Sequence, residues 1–423
     1  MTERAAGRSE RALDWLNFFL ADVQSGLGPF LAVYLLTQRH WGAERIGFVM
    51  TLAGLATLLV QTPAGALIDA TRAKRGLTIG AAALIGSAAA SVALIPSLAV
   101  VGMAQLAMGA AAAIFPPATA ALALGLVGAR RFTPLIGRMQ AYNHAGNVAA
   151  AVLAGILGSL VAPAAVFWLV GALALFAILA TACIDPAAID HSLARGFRRP
   201  AAAEDERPAG WRVLLHCRPL LVFALAITLF HLANAALLPL AGQKLALGHV
   251  RQGALFMAAL LVIAQAVMVP MSVLVGRRAD RWGRKPIFLA AFLSLPLRGV
   301  LFTLSGDPAF LIAVQILDGI GAGIFGALFP VVVKDLMEGT GRYNLAQGAA
   351  ATMQGVGAAL STSLAGIVTQ WGGFDAAFLA LAGIGMAATL IFLLAMPETL
   401  PKDSGDDAGL TPLPGAVAAA RRE

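Results

Sequence analysis

The sequence predicts an all-α membrane protein, with twelve transmembrane helices in two pseudo-symmetric six-helix bundles. Three observations carry that expectation. Of 423 residues, 59% are hydrophobic and only 12% are charged, with a mean hydropathy of +0.81. A soluble chain of this length needs more charge to cover its surface. Apolar runs long enough to cross a bilayer, about 20 residues rising ~1.5 Å each, recur from end to end. The pattern also repeats: a charged loop around Asp69 returns around Asp280, half a chain later.

The runs fall at 14–38, 46–68, 77–96, 98–128, 139–163 and 165–183, then at 219–241, 254–275, 287–304, 309–333, 345–371 and 376–396. All are apolar on every side, whereas a membrane-spanning strand alternates. The first contains Asp22 and Gln24 and is followed by eleven more, so it reads as a span and not as a cleaved signal peptide. Span 2 runs into "PAGALIDATRAKRG", Pro63 to Gly76. Span 4 contains "QLAMGAAAAIF" from Gln105, and span 10 contains "QILDGIGAGIF" from Gln315, 210 residues on. "GRMQAYNHAG" before span 5 is echoed by "GRYNLAQGAA" before span 11, and "AVFWLVGAL" in span 6 by "AAFLALAGI" in span 12. Residues 184–218 are the longest polar interruption and read as a cytoplasmic linker between bundles at 1–183 and 219–396, with a tail at 397–423. Parallel repeats of this kind belong to a transporter plan with its site between the halves near the midplane.

The net charge of +8 and pI near 10.2 do not point to nucleic acid. With the N-terminus inside, only Arg39, Arg45, Lys244 and Arg251 lie on the outer side and Arg298 lies within a span. Every other Lys and Arg falls on the cytoplasmic side. That is the positive-inside asymmetry, and it places both termini in the cytoplasm. Cys183 and Cys217 flank the cytoplasmic linker and are expected to be free thiols. The heavy bias of arginine over lysine and the abundance of alanine hint at a GC-rich bacterial genome, hence a bacterial cytoplasmic membrane.

The densest charge lies between spans 8 and 9, in "VGRRADRWGRKP" from Val275 to Pro286. It resembles the signature loop of the major facilitator superfamily, G-x-x-x-D-R-x-G-R-[RK]-P, at Gly276, Asp280, Arg281, Gly283, Arg284, Lys285 and Pro286. The copy between spans 2 and 3 keeps Gly65, Asp69 and Arg72 but has Ala70 and Ala73 where the family prefers arginine. The resemblance covers nearly the whole chain and implies a secondary transporter whose central cavity is lined by spans 1, 4, 7 and 10. Glycine allows a tight turn, the aspartate can meet the positive end of a helix, and the arginines can bind carboxylates. Such a loop can latch one conformation and release another, and the fuller set of partners around Asp280 predicts that the second copy carries more of the latch. The plainer reading is that the charges only set topology.

An ionisable group inside a span is costly and marks a functional site by default. His231 and Asn234 of span 7 lie three residues apart and so on one side of a helix, and the resemblance, which puts spans 1 and 7 on the same cavity, implies that Asp22 in span 1, with Gln24, could meet them. Arg298 in span 9 and Asp318 in span 10 lie at depths that differ by only ~5 Å, and are expected to pair. Gln140, Asn143 and Asn147 form a polar stripe on span 5 beside His144, and Gln347 and Gln354 a second stripe on span 11. Gln105 and Gln315 complete the candidate substrate or proton pathway. Each of these groups could instead be a satisfied interhelical hydrogen bond or a structural salt bridge.

Departures from the family narrow the function. Proton-coupled antiporters often carry R-x-x-x-G in span 4, where Gln105 stands here, and G-P-x-x-G-G in span 5, where Gly155 is followed by Ile156. There is no pair of intramembrane arginines of the kind that organic-phosphate exchangers use. No G-x-x-x-x-G-K-[ST] loop, metal-ligand set or nucleophile constellation emerges, so neither a cofactor, a metal site nor an enzyme is expected. The expectation is a monomeric secondary transporter that moves a small organic solute by alternating access with protons as coupling ion, export favoured. The alternative is a nutrient or metabolite uptake permease or uniporter without proton coupling. A transporter-like sensor would be expected to carry a long output domain, and the tail reads as too short for one.

Overall fold

A computed structural model of the chain describes residues 3–25, 28–197, 208–248 and 253–400. Among these residues the regular structure is helical, with no strand. The first half holds α1 (Glu3–Ser25), α2 (Gly28–Thr37), α3 (Ala43–Ala70), α4 (Lys74–Leu94), α5 (Leu98–Ala112), α6 (Phe115–Leu160) and α7 (Ala165–Ala182). The second half holds α8 (Val213–His216), α9 (Arg218–Asn234), α10 (Leu237–Gly248), α11 (Gly253–Trp282), α12 (Arg284–Leu304), α13 (Pro308–Val314), α14 (Ile316–Met337) and α15 (Tyr343–Ala395).

Length dictates where two of these helices must turn. α6 has 46 residues and α15 has 53. A straight helix of either length would be more than twice as long as the ~30 Å hydrocarbon core is thick. Each is interrupted at a glycine, Gly128 (φ 66°, ψ 179°) and Gly373 (φ 78°, ψ −177°), in a region of backbone space that is essentially closed to side-chain-bearing residues. Nine helical stretches of the described residues are long and apolar enough to cross a membrane, and the two that run through these glycines, Leu98–Gly158 and Tyr343–Ala395, are the longest.

Other runs that look continuous in sequence are broken within the span. Run 219–241 divides between α9 and α10, and run 309–333 between α13 and α14. The break after α9 is sealed by Ser361, whose Oγ accepts from the Ala236 N–H at 3.0 Å.

The chain forms two compact units, one of Met1–Glu206 with Arg342–Ala349, the other of Arg207–Gly341 with Ala350–Glu423. In the first unit α1 packs on α6, α4 on α7 and α3 on α5. A Cβ on Gly146 would collide with the Phe18 carbonyl, and one on Gly109 with that of Ala53, so these glycines set how closely the helices approach. In the second unit α14 packs on α11 and α12. Its core is aromatic: Phe292 and Phe392 stack with ring centroids 4.5 Å apart, and Phe288 meets Phe325 at 5.2 Å. Large apolar side chains such as Leu59, Met103 and Leu304 are two-thirds exposed, as expected where the surrounding solvent is lipid and not water.

The glycine turns give a first test. Gly128→Ala and Gly373→Ala should each cost about 1–3 kcal/mol of stability through backbone strain. Gly80→Ala, where the new methyl meets nothing within 4 Å, should be silent. Thermal unfolding in detergent distinguishes them: equal melting temperatures for all three variants would mean that the turns are not strained.

Candidate functional site

The intramembrane polar groups of the second unit come together at two broken helices. Arg298, on α12, ion-pairs with Asp318 through Nη1 and donates through Nη2 to Asn234 Oδ1 at 2.6 Å. Gln315 Nε2 donates to the other Asp318 oxygen at 2.9 Å. Asp318 lies in the first turn of α14 and Asn234 is the last residue of α9. The anion therefore sits at a partially positive helix start, and the guanidinium touches the end of a helix whose carbonyls are partially negative. Arg298 is 1% exposed and rests over the Phe302 ring. The sequence-level pairing of Arg298 with Asp318 matches this contact, and Asn234 and Gln315 join it unforeseen.

His231 lies one turn before Asn234. Its Nδ1 is 2.9 Å from the Ile227 carbonyl, and its ring meets the Phe325 edge at 4.8 Å. Beyond the α9–α10 break a cavity of about 320 Å³ opens between α10 and α15, lined by Pro239, Gln243, Thr362, Thr369 and Gln370 among others. Among the described residues none of these lining side chains is charged, and they offer amides and hydroxyls for hydrogen bonding.

The other candidates are placed less centrally. Asp22 and Gln24 lie in α1, but their side chains fall outside the described residues. Asn143 donates to the Asn17 carbonyl at 3.2 Å and Asn147 to Asn143 at 3.4 Å, so this stripe ties α6 to α1. His144 is half-buried beside them and Gln105 is buried within α5. The stripe on span 11 is divided: Gln347 donates to the Pro116 carbonyl at 3.3 Å within the first unit, whereas Gln354 belongs to the second unit.

The two charged loops are held by different kinds of partner. Asp69 is 2% exposed and accepts from the backbone N–H of Asn344 at 3.2 Å, from Leu345 N–H at 2.8 Å and from Asn344 Nδ2 at 2.8 Å. It is an anionic cap on the first turn of α15. A Cβ on Gly65 would run into the Asn344 carbonyl and one on Gly348 into that of Gln61, so backbones meet on both sides of the cap. Asp280 instead has a side chain 40% exposed and ion-pairs with Arg284 on its own loop at 2.6 Å. The main partners of Asp69 are backbone amides, which carry no signal in composition. Arg72 and Arg281 are exposed, Lys285 half-buried, and Gly276 and Gly283 buried.

Further charged contacts had not been singled out. Arg284 Nε also donates to Asp335 at 3.1 Å, and Lys334 pairs with Asp335 at 3.2 Å. Glu398 accepts from the Arg284 and Lys285 backbone N–H groups at 2.9 and 3.1 Å, capping α12. Glu10 and Asp14 on α1 bind Arg131 and Arg138 on α6 at 2.8 Å in both closest pairs. Their spacing, Glu10 to Asp14 and Arg131 to Arg138, was a readable signal of two facing stripes. Among the described residues both cysteines are free, and burial pushes the Cys217 thiol above its usual range.

With this geometry in view, the likeness to known proteins becomes informative. The family model for the Major Facilitator Superfamily matches residues 14–297 and 257–421. The chain belongs to that superfamily. An MFS-type transporter of Mycobacterium tuberculosis is 48% identical over 396 residues, covering 94% of this chain and 95% of the relative. The tetracenomycin C resistance and export protein of Streptomyces glaucescens is 29% identical over 149 residues, 34% of this chain and 27% of that protein. Among solved structures, a proton:xylose symporter bound to 6-bromo-6-deoxy-D-glucose matches with a TM-score of 0.73 at 12% identity, over 99% of this chain and all of that one. The human organic anion transporter MFSD10 matches with 0.69 at 17% identity, over 93% and 100%. These two show the fold. The chain is thus a multi-pass membrane transporter of the superfamily, and its signature loops are those around Asp69 and Asp280.

Two predictions follow from these contacts. Asp69→Asn should lower transport at least about tenfold, because a neutral amide replaces charge-assisted bonds to several N–H donors. Asp280→Asn should retain most activity; a loss at Asp280 equal to that at Asp69 would contradict the asymmetry. In the intramembrane cluster, Arg298→Met or Asp318→Leu alone should cost about 3–5 kcal/mol by leaving a buried charge unpaired. The double variant should regain most of that loss, short of the bonds to Asn234 and Gln315. Additive losses in a double-mutant cycle would show that the two charges do not act as a pair.

Proposed function

We propose that this superfamily member is a secondary active transporter that moves a small organic solute by alternating access, driven by protons, with export as the favoured direction. The observation that carries the proposal is the buried Arg298–Asp318 pair with Asn234 and Gln315 at two helix breaks. A charge cluster inside an apolar bundle is expensive to maintain unless it has work to do, and broken helices within spans are where transporters of this kind bind ions and solutes. Asp22 is the proposed proton carrier, because it is an ionisable carboxyl group within an apolar span. His231 and Asn234 are its proposed neighbours in the pathway, although Asn234 is already engaged by Arg298. The uncharged lining of the cavity beside the α9–α10 break supports a solute recognised through hydrogen bonds and apolar surface. The partial match to an antibiotic export protein supports export.

The Asp69 cap on α15 is proposed as the cytoplasmic latch that holds one conformation and opens in the other. The positive-inside asymmetry supports cytoplasmic termini in a bacterial inner membrane, and a monomer is the working unit. Reconstitution tests the whole reading. Wild-type protein in proteoliposomes should drive a solute uphill when a pH gradient is imposed. Asp22→Asn should abolish that uphill flux yet retain solute counterflow in the same vesicles. Uphill flux that survives in Asp22→Asn passes the proton role to Asp318 or His231. Wild-type flux that ignores the pH gradient favours an uptake permease or uniporter.

A further inference from the structure

Three separately placed segments meet at Asn344. Asp69, at the end of α3, holds the first turn of α15. The Asn344 Nδ2 that donates to Asp69 at 2.8 Å donates also to the Ala194 carbonyl at 2.9 Å. Ala194 belongs to the polar stretch after α7, which reads in sequence as a plain linker.

That stretch is a built element from Asp185 to Phe197. The Asp190 N–H donates to the Gly125 carbonyl at 2.9 Å, and the Asp185 N–H to Ser9 Oγ at 3.1 Å. Asp190 Oδ1 accepts from Ser192 and Leu193 at 2.8 and 2.9 Å, which winds the turn. Gly196, at φ 91°, closes it. Arg195 Nη2 donates to the Ala70 carbonyl at 3.3 Å. Ala194 itself is fully buried against Ile68, Ala118 and Ala121. On the α6 side a Cβ at Gly125 would meet the Asp190 carbonyl at 2.9 Å and the Ala194 Cβ at 3.1 Å, so the docking tolerates only glycine there.

We propose that this docked turn is the positioning element of the latch: the Ala194 carbonyl orients Asn344 so that α15 enters the Asp69 carboxylate in one register. The proposal rests on the reading of the Asp69 contact as a latch. A carboxylate alone accepts any N–H brought near it and specifies little. An amide nitrogen has two hydrogens, and here each has its own acceptor on a different segment. Rotation of the Asn344 side chain is thereby fixed, and a slip of one residue along α15 would present Tyr343 or Leu345, neither of which has an amide to offer. Arg195 gives the turn a second hold, on the last residue of α3, immediately after Asp69.

Two variants disturb the turn alone, and substitutions at Asp69 and Asn344 serve as references. Gly125→Val and, independently, Asp190→Ala are made in the full chain and reconstituted. Hydrogen exchange is followed in peptides covering residues 343–349. Loss of a single orienting bond should raise exchange there about fivefold, and should change the maximal rate of net transport while leaving solute affinity in counterflow at its wild-type value. Asn344→Asp, which sets a carboxylate against both acceptors, should open the first turn further than either. If Asp69→Asn changes neither exchange nor transport, the latch reading itself fails. If Asp69→Asn acts while Gly125→Val and Asp190→Ala leave exchange at 343–349 and the transport rate at wild-type values, the turn is a mere anchor and this proposal is overturned. Should Gly125→Val not fold, Asp190→Ala decides alone.

Discussion

A helix that ends in or beside a lipid bilayer leaves backbone N–H and C=O groups without water to bond, and those groups must be satisfied by the protein. The charged and polar residues of this chain are organised around that constraint. Asp69 caps the start of α15 and Glu398 the start of α12. Arg75 donates to the Thr181 and Ala182 carbonyls at the end of α7. Lys74 and Arg195 bind the Thr71 and Ala70 carbonyls at the end of α3, and Ser361 closes the gap between α9 and α10. Arg298 and Asp318 extend the same logic into the membrane, each sign placed at the helix end it suits.

Duplication supplied two copies of the signature loop, and the copies answer the constraint in different ways. In the first unit the loop aspartate caps a helix that begins elsewhere in the chain, and a loop arginine covers the end of α7. In the second, the loop backbone is itself capped, by a carboxylate just past the end of α15, and the loop arginine is spent on Asp280 and Asp335. The loop that gives a cap and the loop that receives one need different side chains. That explains why the first copy can lack arginine at Ala70 and Ala73 and still make the tighter contact.

How much of this was readable in sequence depended on whether the partner was a side chain or a backbone. Apolar runs and repeat spacing were enough for an all-helical membrane fold, because lipid leaves so few alternatives. The Arg298–Asp318 contact was readable because both partners are ionisable and span depth is countable. Helix breaks inside spans are not readable, since runs 219–241 and 309–333 are long and apolar enough to read as unbroken helices, and single polar residues such as Asn234 and Gln315 do not by themselves end a helix. The partners of Asp69, and of the stretch around Ala194 that reads as a linker, are largely peptide groups, present at every residue and therefore invisible to composition. Glu10 and Asp14, by contrast, could have been matched to Arg131 and Arg138 from spacing alone.

The nature of the Asp69 contact bears on how a latch can work at all. A latch must bias one conformation by an amount that a solute or a proton can overcome, and moving a two-state equilibrium from 1:99 to 99:1 takes about 5.5 kcal/mol. A fully buried arginine–carboxylate pair is a poor device for that purpose, because parting it strands charges at about 3–5 kcal/mol each. A carboxylate on backbone N–H groups gains charge-assisted bonds worth roughly 1.5–3 kcal/mol each, and on opening water replaces them on a single anion. Opening exposes one anion that water can solvate and leaves no second charge stranded in the bundle. On this argument the two alanines in the first loop are not a decayed signature, since an arginine placed beside Asp69 would make the closed state harder to leave.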